Sequence, residues 1–566
     1  MNHRTLFTQA TASQAVTTTP KRAVAKGLKT LTLAMGLATS SLLWADVSTG
    51  ADTKDEAQPK TAAVNEATNT PTNTPTSIAD DTKANGAIKS TAKTQSCYLD
   101  GLAEQLECGK ISVPENPNEP DGKHIDVHFA ILPAIKNSYP NEALLAIAGG
   151  PGQSAIENAA GFDRMLTKVR QTRDILLIDQ RGTGQSNQLQ CQDDAMFTLS
   201  FNDDELNLGE STQACIDEIA KNNPSDISQY NSVTALKDFE AVREYLGYQQ
   251  LHLYGISYGS RMAQLYMRHY PQALKTVTLD GIVPMQQSVI AIGGAIERGL
   301  NLLFSDCRNN QACQQTFPDL EQDFRDVDNK LANAPITEQV RDPLTNSPET
   351  LLMTRGKFNG AIRMAMYSPT TRALLPHAIH QAKQDDFQPI LGLYALTADS
   401  TGIAMGMHAS VVCSEDIHRV TEQMRKDAKV SYMSGSMLDG LEKTCDVWQM
   451  PLMDDSFSAP INSDIPTLLL SGEIDPATPP NWGAMATEQL SNAQHFIAPY
   501  ATHGVAYQSC GNDLIAELVD TADVMSIDGS CLNKDVRRSF YLNANGVELV
   551  TDSDTSTSTT ATADKE

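Results

Sequence analysis

Four short apolar runs punctuate the middle of the chain: Ala143 to Ala148, Asp174 to Asp179 (DILLID), Leu251 to Tyr254, and Thr276 to Asp280 (TVTLD). Continuous runs of this kind predict strands buried on both faces, as in a parallel sheet. Between the second and third runs, Ser232 to Leu246 carries Val233, Leu236, Phe239, Val242 and Leu246 at helical spacing. That spacing predicts a helix, with Ser232 as its N-cap. Ser260 to Tyr270 predicts another. Ahead of these, Cys108 to Val113 and His124 to Pro133 (HIDVHFAILP) alternate apolar and polar positions, as antiparallel strands at a sheet edge do. Strands alternating with helices predict an α/β protein, a mostly parallel sheet with helices on both faces.

The rhythm then breaks. From about Pro284 to Asp464 helical signals dominate and buried β runs are absent; strand runs return at Ile465 to Gly472 and His495 to Pro499. The expected organisation is one α/β domain split by a helical cap: core over 96–284 and 465–550, cap over 285–464.

The ends read differently. Lys21, Arg22, Lys26 and Lys29 precede an apolar run from Leu31 to Trp44, and no acidic residue occurs before Asp46. This predicts a signal peptide over 1–45, cleaved after Ala45, with no stable membrane insertion after its removal. The implied location is exported, periplasmic or secreted. Residues 46–95 and 551–566 are rich in Thr, Ala, Asp and Ser with few large apolar residues, which predicts a disordered tether and tail.

Composition is that of a globular chain, 40% hydrophobic and 20% charged. The net charge of −26 argues against nucleic acid as a partner. The ten cysteines are Cys97, Cys108, Cys191, Cys215, Cys307, Cys313, Cys413, Cys445, Cys510 and Cys531. An even count in an exported chain predicts disulfides. Joining sequence neighbours gives five short loops, although sequence leaves the connectivity open. No C-x-x-C occurs, so zinc-ribbon and thioredoxin readings have no support.

The third run leads into Gly255-Ile256-Ser257-Tyr258-Gly259 and then a helix. Strand, G-x-S-x-G, helix is the context of a nucleophile elbow, with Ser257 at its tip. A serine nucleophile needs a base, an orienting acid and an oxyanion hole, and on this fold the chain order is Ser, acid, His. The acid expected is Asp475, just past the Leu468-Leu469-Leu470 strand, with Glu473 as competitor; the base expected is His503, in the loop after the His495 strand. Backbone amides of Tyr258 and of the Gly149–Gly152 turn would hold the oxyanion. Gly150 is the donor expected from that turn, because Pro151 has no N–H. His377 and His380 stand three apart without a third ligand, so no metal or cofactor is expected.

Five motifs in order, GGPG at 149–152, DQRGTGQS at 179–186, GISYGS at 255–260, GEIDPATP at 472–479 and THG at 502–504, resemble the prolyl and tripeptidyl aminopeptidase group of serine peptidases. The resemblance spans about residues 97–540. It implies the α/β-hydrolase fold, the triad Ser257, Asp475 and His503, a helical cap, and peptides with a free N-terminus as substrates. It also points to an acidic residue near Cys413 that would hold the substrate ammonium: Glu415, then Asp416. One departure is Ala148, where cytosolic prolyl aminopeptidases usually carry His. That fits the exported tripeptidyl-type branch and puts strict proline specificity in doubt. Arg181 is expected to pin a strand end by pairing with a carboxylate. The rival class is a carboxylesterase or lipase-type hydrolase with the same triad. Step length, one residue or three, and oligomeric state are not legible.

Overall fold

The computed structural model describes residues 93–191, 198–398 and 402–549. The expected signal peptide, the tether up to residue 92 and the tail lie outside the described residues.

Nine strands form one sheet, in the order β1-β2-β3-β5-β4-β6-β7-β10-β11. They are β1 (Gln95–Cys97), β2 (Leu106–Pro114), β3 (His124–Leu132), β4 (Glu142–Ile147), β5 (Asp174–Ile178), β6 (Gln250–Ile256), β7 (Leu274–Asp280), β10 (Thr467–Gly472) and β11 (Ala493–Ala498), with β8 (Ile336–Arg341) and β9 (Pro348–Met353) forming a separate hairpin. From β5 across to β11 every neighbouring pair is parallel. The first three strands add antiparallel at one edge. The chain thus has the α/β architecture its pattern predicts, a mostly parallel sheet carrying helices.

The continuous runs are explained by packing on both faces. Along β4, Ala143, Leu145 and Ile147 belong to one apolar core, and Leu144, Ala146 and, just past the strand, Ala148 to another. Residues alternate sides in a strand, so a strand covered on both faces is apolar throughout. Each fully buried Leu or Ile contributes about 1.5–3 kcal/mol.

Residues from Ile292 to Met433 build most of a third core, including Leu300, Phe304, Phe324, Phe358 and Ile379, which Ala477 and Phe540 join. This segment is mostly helical, and it also contains the β8–β9 hairpin. Most hairpin positions are exposed or half-buried, so the hairpin has no buried run to announce it. Helix α1 (Ser232–Leu246) leads to β6, and helix α2 (Tyr258–His269) follows it. The N-cap of α1 is Asn231, whose side chain accepts from Thr234 N. Ser232, the expected cap, is instead the first helical residue, and a distant carboxylate engages its hydroxyl. Helices α3 (Met405–Glu415) and α4 (Ser434–Val447) complete the elements used below.

Candidate active site

The parallel strands end on one rim, and the predicted chemistry gathers there. Ser257 follows β6 directly at φ 57 and ψ −127, a left-handed conformation costly for a residue with a Cβ. The turn is forced by close packing. A Cβ on Gly255 would stand 2.3 Å from Gly259 O, and one on Gly259 would stand 2.3 Å from Ile147 O. Only glycine permits both approaches. Ser257 N donates to Asp280 O at 2.9 Å, tying the elbow to the next strand. The N-terminus of α2 begins at Tyr258, whose N–H has no acceptor within the helix and lies at the positive end of its dipole. The glycine turn after β4 passes against the serine: a Cβ on Gly149 would meet Ser257 Cβ at 3.0 Å.

Past β10, Asp475 is fully buried. Its Oδ1 accepts from Ala477 N at 2.7 Å and Thr478 N at 3.0 Å. Its Oδ2 accepts from Thr478 Oγ1 at 2.8 Å and from His503 Nδ1 at 2.8 Å. A carboxylate can only accept, so Nδ1 carries the proton and Nε2 keeps its lone pair. Among the described residues neither His503 Nε2 nor Ser257 Oγ has a hydrogen-bond partner, and both are buried. Burial pushes the His503 imidazolium down, but the Asp475 charge and hydrogen bond, helped by Asp280, outweigh it and raise its pKa. Glu473, the competing acid, pairs instead with Arg298 at 2.6 Å, away from the histidine.

Two residues without an assigned role in the sequence reading shape this site. Thr478 bonds Asp475 and stands 3.2 Å from His503 Nδ1. Asp280, at the end of β7, accepts from Val505 N at 2.8 Å, Ala506 N at 3.0 Å and Tyr254 Oη at 2.9 Å. It thereby holds the turn that follows His503. Burial raises its carboxyl. Thr478 sits inside a quoted motif and Asp280 ends a quoted strand; an acid at a strand's C-terminal end was the available signal. From the helical segment, the Tyr367 ring lies edge-on to His503 with centroids 5.3 Å apart, and Tyr367 O accepts from Thr502 Oγ1 at 2.6 Å.

Residues 430–531 match a family model described as TAP-like protein. The serine protease Hip1 of Mycobacterium tuberculosis is 25% identical over 424 residues, covering 68% of this chain and 79% of that protein. The tripeptidyl aminopeptidase of Streptomyces lividans is 23% identical over 223 residues, covering 36% of this chain and 42% of that protein. A proline iminopeptidase structure from Mycobacterium smegmatis covers 74% of this chain and 100% of its own, at 12% identity and a TM-score of 0.32. The chain has the α/β-hydrolase fold, and it is similar to the tripeptidyl aminopeptidase group of serine peptidases. It is a serine hydrolase of peptidase type.

In this hydrolase, Glu415 and Asp416, the acids expected to hold a substrate ammonium, are engaged inside the protein. Both are fully buried. Glu415 accepts from Ser232 N at 2.8 Å and Ser232 Oγ at 2.9 Å. Asp416 accepts from Arg261 at 2.8 Å and Val289 N at 2.9 Å. Burial lifts the Glu415 carboxyl to about 7, against the pull of Arg261.

Arg181 pairs with Asp238 at 2.7 Å, both buried. The cysteines pair as sequence neighbours: Cys97–Cys108, Cys191–Cys215, Cys307–Cys313, Cys413–Cys445 and Cys510–Cys531. Five bridges fit an oxidising compartment. Among the described residues no helix is long and apolar enough to cross a membrane.

Proposed function

We propose that this hydrolase is an exported exopeptidase that cleaves near the free N-terminus of peptides through an acyl-enzyme on Ser257. Ser257 Oγ attacks the scissile carbonyl. His503 Nε2 takes its proton and later gives it to the leaving amine. Asp475 fixes the tautomer and stabilises the imidazolium. The Gly150 and Tyr258 amides receive the oxyanion, each worth about 3 kcal/mol in kcat. The carrying observation is the Asp475–His503 bond, which leaves Nε2 basic on the same rim as a strained serine.

Exopeptidase action is supported by the five ordered motifs and by the similarity to the Streptomyces tripeptidyl aminopeptidase. The 285–464 segment, as a cap, would restrict entry to chain ends. Export is supported by five disulfides and by the basic-then-apolar leader pattern.

The test is digestion of an unblocked peptide library and its N-acetylated copy by wild type and Ser257→Ala, read by mass spectrometry. Loss of one or three N-terminal residues from unblocked peptides only, absent in the variant, is the expected result. Cleavage of neither library, with rapid p-nitrophenyl ester turnover by the wild type, moves the protein to the esterase class.

A further inference from the structure

We propose that helix α3 braces the oxyanion hole, with His408 and Glu415 as positioning residues that each hold one of its two backbone segments. The inference rests on the reading above, in which the Gly150 and Tyr258 amides receive the oxyanion.

The glycine turn cannot fix itself. Gly150 and Gly152 lie at φ +108 and +111, in a region that glycine enters and leaves with little resistance. Gln153 N reaches Gly149 O only at 3.4 Å, and the carbonyls of Pro151 and Gly152 are held from outside by α3 and the residues before it. Ala404 N donates to Gly152 O at 2.9 Å, and Gln153 forms an antiparallel bridge with Ile403. The turn and this segment meet backbone to backbone: a Cβ on Gly152 would stand 2.8 Å from Ala404 O. His408 Nδ1 then reaches Pro151 O at 3.2 Å. A carbonyl only accepts, so Nδ1 is the protonated nitrogen. Burial keeps this histidine neutral, pushing it down to about 4. Pro151 O belongs to the peptide plane two beyond the one that carries the Gly150 N–H, so the bond holds the turn from the far side of Pro151.

Seven residues on, Glu415 serves the other segment. Positions i and i+7 share a helix face about 10 Å apart along the axis. Glu415 accepts from Ser232 N and Oγ. Ser232 Oγ is 2.6 Å from Tyr258 Oη, and Gln180 Nε2 donates to that Oη at 3.1 Å. The directions are consistent: Gln180 to Tyr258, Tyr258 to Ser232, Ser232 to Glu415. The chain passes through Tyr258, the residue whose N–H is the second donor. Both Glu415 oxygens are occupied by this task. The Cys413–Cys445 bridge fastens the same end of α3 to α4.

The test uses the full chain and two substrates, a p-nitrophenyl ester and a tripeptidyl p-nitroanilide with a free N-terminus. At position 408, Asn places an amide N–H where Nδ1 stands, and Gln places it where Nε2 stands. His408→Asn is expected to keep kcat within about threefold. His408→Gln and His408→Ala are expected to lose about 10- to 100-fold in kcat on both substrates, with KM within about twofold. Glu415→Gln, which still accepts from Ser232 N, is expected to stay within about fivefold, and Glu415→Ala to fall with His408→Ala. Fluorophosphonate labelling of Ser257 should slow in the same order.

Equal activity of the Asn and Gln variants at 408 overturns the brace. So does a rise in KM for the free-amine substrate alone in Glu415→Gln, which would return Glu415 to an ammonium anchor. A wild type that turns over the ester but no peptide refutes the exopeptidase reading, while the ester arm still decides the brace. A wild type that neither turns over the ester nor labels at Ser257 overturns both.

Discussion

The two ends of the sheet treat polar groups in opposite ways. At the N-terminal ends of the strands, Glu142 on β4 receives Arg173 Nε at 3.0 Å, Lys275 Nζ at 2.6 Å and His252 Nε2 at 3.2 Å. His252 Nδ1 bonds Thr276 Oγ1 at 2.7 Å. Every member of that cluster has a partner. At the C-terminal ends, Ser257 Oγ and His503 Nε2 are buried with none. Asp179 and Asp280 there have no ion-pair partner among the described residues; they accept only from hydroxyls and backbone amides. Burial raises both carboxyls. One end spends its polar groups on stability. The other leaves two of them unpaired among the described residues, as the proposed catalytic role requires.

The sharpest way to break this contrast is Ser257→Ala. The rim reading expects kcat/KM to fall at least about 10⁴-fold, with the calorimetric Tm unchanged. Retained amide hydrolysis would remove the rim from the chemistry.

The opposite end should answer in the other currency. Glu142→Ala leaves Arg173 and Lys275 without their shared carboxylate and is expected to cost about 3 kcal/mol of unfolding free energy, read from urea denaturation. Turnover per folded molecule should not change. A loss of kcat there would mean that the ends are coupled.

Acid should separate the two ends without mutation. His503 must be neutral to act, and its pKa is raised above 6.5. Activity is therefore expected to fall about tenfold per pH unit below a midpoint above 6.5. Burial opposes ionisation of Glu142, but Lys275, Arg173 and His252 outweigh it and hold its carboxyl at about 2, below the ordinary 4.5. Its contribution to stability is fully present above 4.5 and is lost as pH falls towards 2. At pH 5 the protein should be folded by circular dichroism and nearly inactive. Coincident loss of both signals would refute the separation.

Asp280→Asn is the mildest test. Asn still accepts from Val505 N but presents an N–H₂ group to Ala506 N, and the negative charge near His503 is gone. Expected are a loss of about tenfold in kcat and a shift of the acid limb to lower pH, since Asp280 helps to raise the histidine. An unmoved limb would leave Asp280 a structural residue only.

Much of the fold and part of the site were legible because they are local. Strands buried on both faces must be apolar throughout, and glycines two positions either side of Ser257 announce a turn that only they permit. Asp475 and His503 could be nominated because each follows a strand that its own apolar run declares. Glu473 and Asp475 were separable only in space, where one meets Arg298 and the other His503.

Tertiary structure decided the partners. Asn231 and Ser232 are both good caps in sequence. Glu415, 183 residues away, takes the Ser232 hydroxyl and leaves the cap to Asn231. The same contact makes Glu415 an internal acceptor where the family resemblance pointed to a substrate anchor. The β8–β9 hairpin is half-exposed, so its residues carry no buried run. Local periodicity fixes what a segment becomes, because it reflects the segment's own burial. Which carboxylate meets which donor depends on where distant segments cross, and no local pattern records that.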